Sequence, residues 1–412
     1  MSGAAITGLI TPGDLMVTGQ VLGEPTALLE EIFAGPDDLS GCRLFTGMSL
    51  TSVLERAPTG LGLLSFVGMG SAGKLLAAGR LELVPCHMSD LPWAMTEGPL
   101  RPDVALVLVS PPDEHGMCSL GVEADYIWSA VNSARVVLAE INSHVPRVAG
   151  DTAVPFDRID GYLRTDRPLP EYGRSEPSES ERRIAARVSG FVRDGSCVQV
   201  GVGRLGEAVL RAVADRRDLG IHTGMVGETI LEMMRDGVVT GARKPVDTGL
   251  TATGSILGGA AAVALAAEQP ALRLRSVEHV NAGAVIAAID DFVCVNSAIE
   301  VDLLGQVNAE MVGGRYVGGI GGSVDFLRAS VRAPGGRSIV ALPAAARGGV
   351  SRIVAGVERV TVQRSDVDVV ITEHGVAELR GVSQGERARR LVDIAAPELR
   401  ERLLVSAKEM GL

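Results

Sequence analysis

Asp103-Val104-Ala105-Leu106-Val107-Leu108-Val109 carries a single charge, at its first residue, and is closed by Ser110-Pro111-Pro112. A valine- and leucine-rich run of this length, stopped by prolines, predicts a strand buried on both faces. Ala134-Arg135-Val136-Val137-Leu138-Ala139-Glu140 predicts a second such strand. Tyr126 to Ser133, between them, predicts a crossover helix. Strand, helix, strand in this order predicts an α/β fold with a mainly parallel sheet.

The plan recurs further along. Cys197-Val198-Gln199-Val200 predicts a strand, Gly201 to Gly206 a glycine-rich turn, and Glu207 to about Ala214 a helix. Strands are predicted at Phe292–Asn296, Ser338–Leu342 and Val367–Thr372. The charged segment Gly385–Met410 predicts amphipathic helix. Between Arg167 and Ser180 stand Pro168, Pro170, Gly173 and Pro177, a composition that suits a linker. Ser178-Glu179-Ser180-Glu181 reads as a helix start. The boundary this implies divides the chain into 1–177 and 178–412.

At 412 residues the chain is long enough for two domains. Its 46% hydrophobic and 22% charged residues are those of a soluble globular protein. The 51 glycines suit close helix–strand packing and backbone-lined turns. A net charge of -11 argues against nucleic-acid binding, while local amides and arginines could still meet an anion. The five cysteines form no CxxC pair, so neither a disulfide framework nor a zinc site is expected. Each lies in apolar or strand-like sequence, which suggests a buried, inert thiol. Met1-Ser2-Gly3-Ala4-Ala5 lacks the features of a leader. The apolar stretch from Gly258 to Ala267 is too short to span a bilayer. A cytoplasmic protein is the expectation, with no membrane or nucleic-acid partner.

Four stretches carry candidate chemistry. Gly201-Val202-Gly203-Arg204-Leu205-Gly206 is a GxGxxG between a predicted strand and helix. It could bring backbone amides to a phosphate or pantetheine, with Arg204 adding charge, or be a structural turn. Gly318-Gly319-Ile320-Gly321-Gly322 has four glycines in five positions, more than packing volume would explain. Its amides could form an oxyanion hole, or it could be a buried crossing of two loops. Asn296 to Asn308 places Glu300 and Asp302 beside a strand end. Acid/base roles are conceivable there, though hydrogen bonds to neighbouring loops are the simpler reading. Ser110 to Gly121 combines Asp113, Glu114, His115 and Cys118 without the spacing of a metal site. A rigid turn with His115 and Ser119 near an active cleft is expected. No GxSxG elbow is present.

Taken together, these segments resemble the acetyl-CoA hydrolase/transferase family, which includes 4-hydroxybutyrate and butyrate:acetate CoA-transferases. The resemblance runs over nearly the whole chain. Ile10-Thr11-Pro12-Gly13-Asp14 and Gly23-Glu24-Pro25 resemble the family's opening. SPPDEHGMCSLGVEADY (Ser110–Tyr126), LAEIN (Leu138–Asn142) and NSAIEVDLLGQVN (Asn296–Asn308) are specific matches. So are GGIGGSVDFLRAS (Gly318–Ser330), ALPAAARGGVSRIV (Ala341–Val354) and TEHGVAELRG (Thr372–Gly381).

The resemblance implies two CoA-transferase-type α/β domains with the active cleft between them, and coenzyme A as acyl carrier. No metal is expected. It implies CoA contacts from Gly201, Gly203, Arg204, Asn296, Gly318 and Gly319, and oxyanion stabilisation by Gly321 or Gly322. Family members attack the thioester with a glutamate in a segment like GIHTEM. Here that segment reads Gly220-Ile221-His222-Thr223-Gly224-Met225. Glu228 lies four residues on and is a displaced substitute. Three functions are compatible with this. The first is an acyl-CoA-processing enzyme that forms no glutamyl-CoA, with Glu228, Glu300 and His115 as candidate acid/base groups. The second is a CoA-transferase using another carboxylate, Glu228 foremost. The third is a non-catalytic CoA-binding or partner subunit. An acyl-CoA, a small carboxylate or other acceptor, and a second copy in a homodimer are the expected partners.

Overall fold

Seven parallel strands form the first sheet. They are β1 (Leu15–Thr18), β2 (Arg43–Thr46), β3 (Gly62–Ser65), β4 (Leu81–Leu83), β5 (Val104–Val109), β6 (Val136–Asn142) and β7 (Gly161–Thr165). Their order is β4-β3-β2-β1-β5-β6-β7. The computed structural model describes Ile6, residues 8–35 and residues 39–412. The Met1–Ala5 stretch read above for a leader lies outside them.

Alternation along each strand explains the two faces of this sheet. Leu15, Val17, Ala105, Val107, Val137 and Ala139 enter one core, whereas Met16, Val104, Leu106, Val136 and Leu138 enter another. Both faces are therefore apolar, and the strands read as continuous hydrophobic runs. Each of the valine, leucine and methionine side chains among them contributes roughly 1.5–3 kcal/mol on burial. The crossover helix from β5 to β6 spans Ile127–Ser133, as its sequence predicts. The second predicted strand begins two residues late, at Val136, because Ala134 closes the helix through its amide to the Ala130 carbonyl.

The second sheet contains β8 (Cys197–Val200), β9 (Gly220–Val226), β10 (Thr251–Ile256), β11 (Leu272–Leu274), β12 (Phe292–Ser297), β13 (Arg337–Ala341), β14 (Val369–Thr372) and β15 (Gly375–Glu378). Their order is β11-β10-β9-β8-β12-β13-β14-β15. β9, β8, β12, β13 and β14 run parallel, and β15 is antiparallel to β14.

The chain resolves into two compact units. One comprises Met1–Gly173, Gly224–Leu231 and Ala252–Val280; the other comprises Arg174–Thr223, Glu232–Thr251 and Asn281–Leu412. Residues 166–178 are irregular, as their prolines suggest. Ser178 then caps the helix Glu179–Val188: its hydroxyl accepts from the Glu181 amide, and the Glu181 carboxylate accepts from the Ser178 amide at 2.7 Å. The C-terminal segment forms two helices, Gln384–Asp393 and Arg400–Glu409, separated by a turn containing Pro397. The apolar stretch after Gly258 is a short helix, Ala260–Ala267. Among the described residues no helix is long and apolar enough to cross a membrane.

Each sheet has one place where the chain's direction of travel reverses. In the first it lies between β1 and β5, and in the second between β8 and β12. The carboxyl ends of strands at such a switch point leave a crevice between the following loops. In the second sheet those loops are Gly201–Gly203 and the segment after Asn296.

Candidate active site

The loop after β8 is shaped by three glycines doing different work. Gly203 has φ 116°, a conformation that side chains avoid, and is the N-cap of the helix Arg204–Ala212. The helix therefore starts three residues before the predicted Glu207. Gly206 lies inside it, where an added Cβ would overlap the Gly201 carbonyl oxygen. Gly201 packs on β12: an added Cβ would stand 3.0 Å from Asn296 Oδ1. The turn thus holds the helix start tight against two strands, with the helix's first amides unbonded within it.

Asn296 is buried in the same crevice. Its Nδ2 donates to Gln199 Oε1 at 2.9 Å and to Cys294 Sγ at 3.2 Å. Arg204 does not stand free as an anion ligand. Its guanidinium pairs with Glu181 at 3.3 Å, and Glu181 also completes the Ser178 cap. Arg204 is thus tied to the preceding helix, with half of its side chain exposed.

The second glycine loop is divided between packing and conformation. A Cβ at Gly318 would overlap the Ala309 carbonyl, and the amides of Val317 and Gly318 donate to the Glu310 carbonyl at 2.8 and 3.1 Å. Packing volume does therefore explain Gly318, contrary to expectation. Gly319, Gly321 and Gly322 are half-buried. Gly321 has φ 52°, and Gly322 is the N-cap of the helix Ser323–Ser330. This half of the loop ends, like Gly203, at a helix start.

Gly224 lies within β9 and is half-buried. Its carbonyl oxygen stands 3.0 Å from where a Cβ of Gly254 would be. β9 continues to Val226, and Glu228 is the first residue of the helix Glu228–Arg235. The chain is extended from Gly224 to Val226, so Glu228 is displaced along the strand rather than stacked one helical turn above. The buried Lys244 donates to the carbonyl of Ile221, earlier in β9, at 3.0 Å and to that of Leu250 at 2.9 Å. Burial pushes the Lys244 ammonium below its usual range.

Glu300 is half-buried and accepts from Asn308 Nδ2 at 3.1 Å. Asp302 accepts from the amides of Leu304 and Gln306 at 3.0 and 2.9 Å. Both therefore serve the loop, in line with the simpler reading. His115 sits in an exposed turn with its side chain 78% accessible, 3.6 Å from Glu114. The Asp113 carboxylate holds this turn by accepting from the His115 and Met117 amides, each at 2.9 Å.

None of the five cysteines is in a disulfide. Burial pushes the Cys197 thiol up to about 12 and raises Cys294 as well. Cys86, only half-buried in a loop, departs from the expectation of burial. Sequence reasoning passed over one cluster entirely: Gln20, Glu123 and Asp125, buried beside the β1 end. A signal for it was present in Gly19, Gly23 and Gly47, where added Cβ atoms would overlap Glu123 or Gln20.

A direct test of the first loop is Gly206→Ala. The new methyl would meet backbone rather than a yielding side chain, so the helix must move off Gly201. Overpacking of this kind costs about 1–3 kcal/mol. A lower denaturation midpoint at unchanged slope is expected.

The comparisons with known proteins agree with this architecture. Residues 1–170 match the acetyl-CoA hydrolase/transferase N-terminal domain and residues 258–407 its C-terminal domain. The 4-hydroxybutyrate coenzyme A transferase of Clostridium kluyveri is 36% identical over 348 residues, covering 84% of this chain and 81% of that one. The crystal structure of RipA from Yersinia pestis superposes with a TM-score of 0.94 at 30% identity, covering 100% of this chain and 97% of that one. The 4-hydroxybutyrate CoA-transferase of Porphyromonas gingivalis gives 0.83 at 30% identity, covering 99% and 96%. With both domains matched in order, this chain belongs to the acetyl-CoA hydrolase/transferase family, whose members are enzymes acting on acyl-CoA.

Proposed function

We propose that this enzyme converts an acyl-CoA thioester without passing through a glutamyl-CoA intermediate. The observation that carries the reading is Gly224. It occupies the position that the family resemblance assigns to the nucleophilic glutamate, and it has no side chain to attack with. A nucleophile must come within roughly 3–3.5 Å of the carbonyl. Glu228, across an extended stretch and at the start of the next helix, does not inherit that position.

The CoA moiety is bound at the Gly201–Gly203 turn, Asn296 and the Gly319–Gly322 loop. Support comes from two helix starts with free amides, each introduced by glycine, one of them at a switch point. Gly321 or Gly322 polarises the thioester carbonyl. The thioester C–S bond is then broken either by water, which gives the free acid and the CoA thiol, or by a directly bound carboxylate, which gives a mixed anhydride and CoA thiolate. In the second case the thiolate then attacks the acceptor's carbonyl and releases the first acid.

The test is a panel of acyl-CoA thioesters incubated with and without acetate or succinate, followed by intact-mass analysis and borohydride treatment. Thioester loss with no CoA-linked protein mass is expected. A CoA adduct mapped to Glu228 would overturn the reading in favour of a substitute nucleophile. Titration calorimetry showing no CoA binding to folded protein would remove the proposed CoA site.

A further inference from the structure

Glu123 and Asp125 are both buried, within the unit that contains Gly224. Both carboxyls converge on Gln20, two residues apart in the chain, and can share a hydrogen bond when one of them carries a proton. The Gln20 amide donates to both Glu123 oxygens at 3.0 Å, and Gln20 Nε2 donates to Asp125 Oδ2 at 2.7 Å. Gln20 is itself fixed, since its Oε1 accepts from the Met48 amide at 3.1 Å. Gly19 and Gly23 approach Glu123 so closely that any Cβ would overlap its carboxyl. Little room remains for the two carboxyl groups to separate.

The segment bearing the pair is laced to β10. The Gly254 carbonyl accepts from the Ala124 amide at 2.8 Å and the Asp125 amide at 3.2 Å, and the Ile256 amide donates to the Val122 carbonyl at 2.8 Å. Gly254 is confined on both sides. The place where its Cβ would stand is 3.0 Å from the Gly224 carbonyl oxygen and 3.1 Å from Asp125 Cβ. A shift of Asp125 therefore pulls on the Gly254 carbonyl through the Asp125 amide, and so on β10, the strand beside the Gly224-bearing β9.

We propose that Glu123 and Asp125 are positioning residues that hold one proton between them, and that this shared proton keeps the Gly254–Gly224 backbone in place. The groups facing the pair are Gln20, Glu24 and Tyr126. Glu24 adds a third carboxyl, and none of the three brings a positive charge. Burial first, then the Asp125 charge, drives the Glu123 carboxyl well above its ordinary value. Burial also raises Asp125, against hydrogen bonds from Glu123 and Gln20 that favour its ionised form. The raised titration thus belongs to the pair, which holds one proton between its two carboxyls. Because its folded value is raised, its contribution to stability is complete below the ordinary carboxylate range. It is lost as pH rises through the folded value.

The test follows amide exchange at Ala124, Asp125 and Ile256, corrected for intrinsic base catalysis, from pH 5 to 10. In the wild type, protection at these amides should fall by about tenfold or more as the pair loses its proton, because opening the pair and releasing that proton are linked equilibria. Glu123→Gln keeps a donor toward Asp125 and an acceptor toward Gln20 but does not titrate. Its protection should be flat. Should that variant fail to fold, Asp125→Asn gives a second reading. With the like charge gone, the fall in protection should move to lower pH.

Flat protection in the wild type, a wild-type fall in Glu123→Gln, or an unmoved fall in Asp125→Asn would overturn the proposal. Its link to catalysis rests on the reading that residue 224 stands at the reaction centre. Acyl-CoA turnover by the wild type should then show the same alkaline decline, and Glu123→Gln should lack it. If the amides behave as expected while the two turnover profiles coincide, the proton lock stands, and it is the placing of the reaction centre that fails.

Discussion

Gly224→Glu is expected to lower conversion of the native acyl-CoA by about a hundredfold or more, and to create no acyl exchange with acetate. Position 224 is a half-buried strand position, so a side chain there takes up space that the glycine leaves open. The surroundings also disfavour a carboxylate. Half-burial pushes a new carboxyl there toward its neutral form. Neutral, it is a poor nucleophile. Steady-state turnover of an acyl-CoA, with labelled acetate as a trap, measures both effects. Acetate exchange above the wild-type level in the Glu variant would mean that the site is a transferase lacking only its nucleophile. The proposed reaction would then be wrong.

The strands were legible because burial on both faces leaves an unbroken apolar signature. Val104–Val109 and Cys197–Val200 have the bounds their sequences suggest to within one residue. The start of the helix after β8 was not, because GxGxxG marks a turn without saying which glycine ends it. The structure answers with Gly203, whose positive φ closes the turn, while Gly206 is a packing contact inside the helix. A similar ambiguity hid Gly318, since a glycine crossed by another loop looks in sequence like one that faces a ligand. Glu123 and Asp125 escaped for a different reason. Acidic residues two apart ordinarily mark a solvated edge, and only the approach of Gly19 and Gly23 from a hundred residues earlier reveals that these are enclosed. Local periodicity carries no information about such long-range contacts. Arg204 and His115 show the converse. Their residue types suit a site, but the Arg204 partner, Glu181, stands 23 residues earlier where no spacing rule anticipates it, and the His115 side chain is exposed beside its chain neighbour Glu114.

Replacing Glu140 by Ala should produce the largest loss of stability. The carboxylate lies at the core of the first unit, fully buried in β6. The helix Thr26–Ala34 has Pro25 as its N-cap, which supplies no side-chain acceptor. Glu140 does so from a distance: its Oε2 accepts from the Ala27 amide at 2.9 Å and the Leu28 amide at 3.3 Å. Its Oε1 accepts from Thr165 Oγ1 at 2.9 Å and from Arg167 Nε at 2.6 Å. Arg167 Nη2 also donates to Oε2, at 3.2 Å, so truncation strips five donors of their acceptor and leaves the partly buried Arg167 without its carboxylate. Breaking a buried ion pair from one side costs about 3–5 kcal/mol, because the remaining charge is stranded. For a unit of this size that is a fall of roughly 6–20 °C in melting temperature. Glu140→Gln should fall between wild type and Ala, keeping one acceptor oxygen but losing the charge opposite Arg167. Glu30→Ala removes the exposed partner of Arg56 and should shift stability by no more than about 0.5 kcal/mol. Chemical denaturation of the three variants decides the matter. Glu140→Ala within about 1 kcal/mol of wild type would mean that water replaces the carboxylate at this helix start, and that the LAEIN motif is kept for another reason.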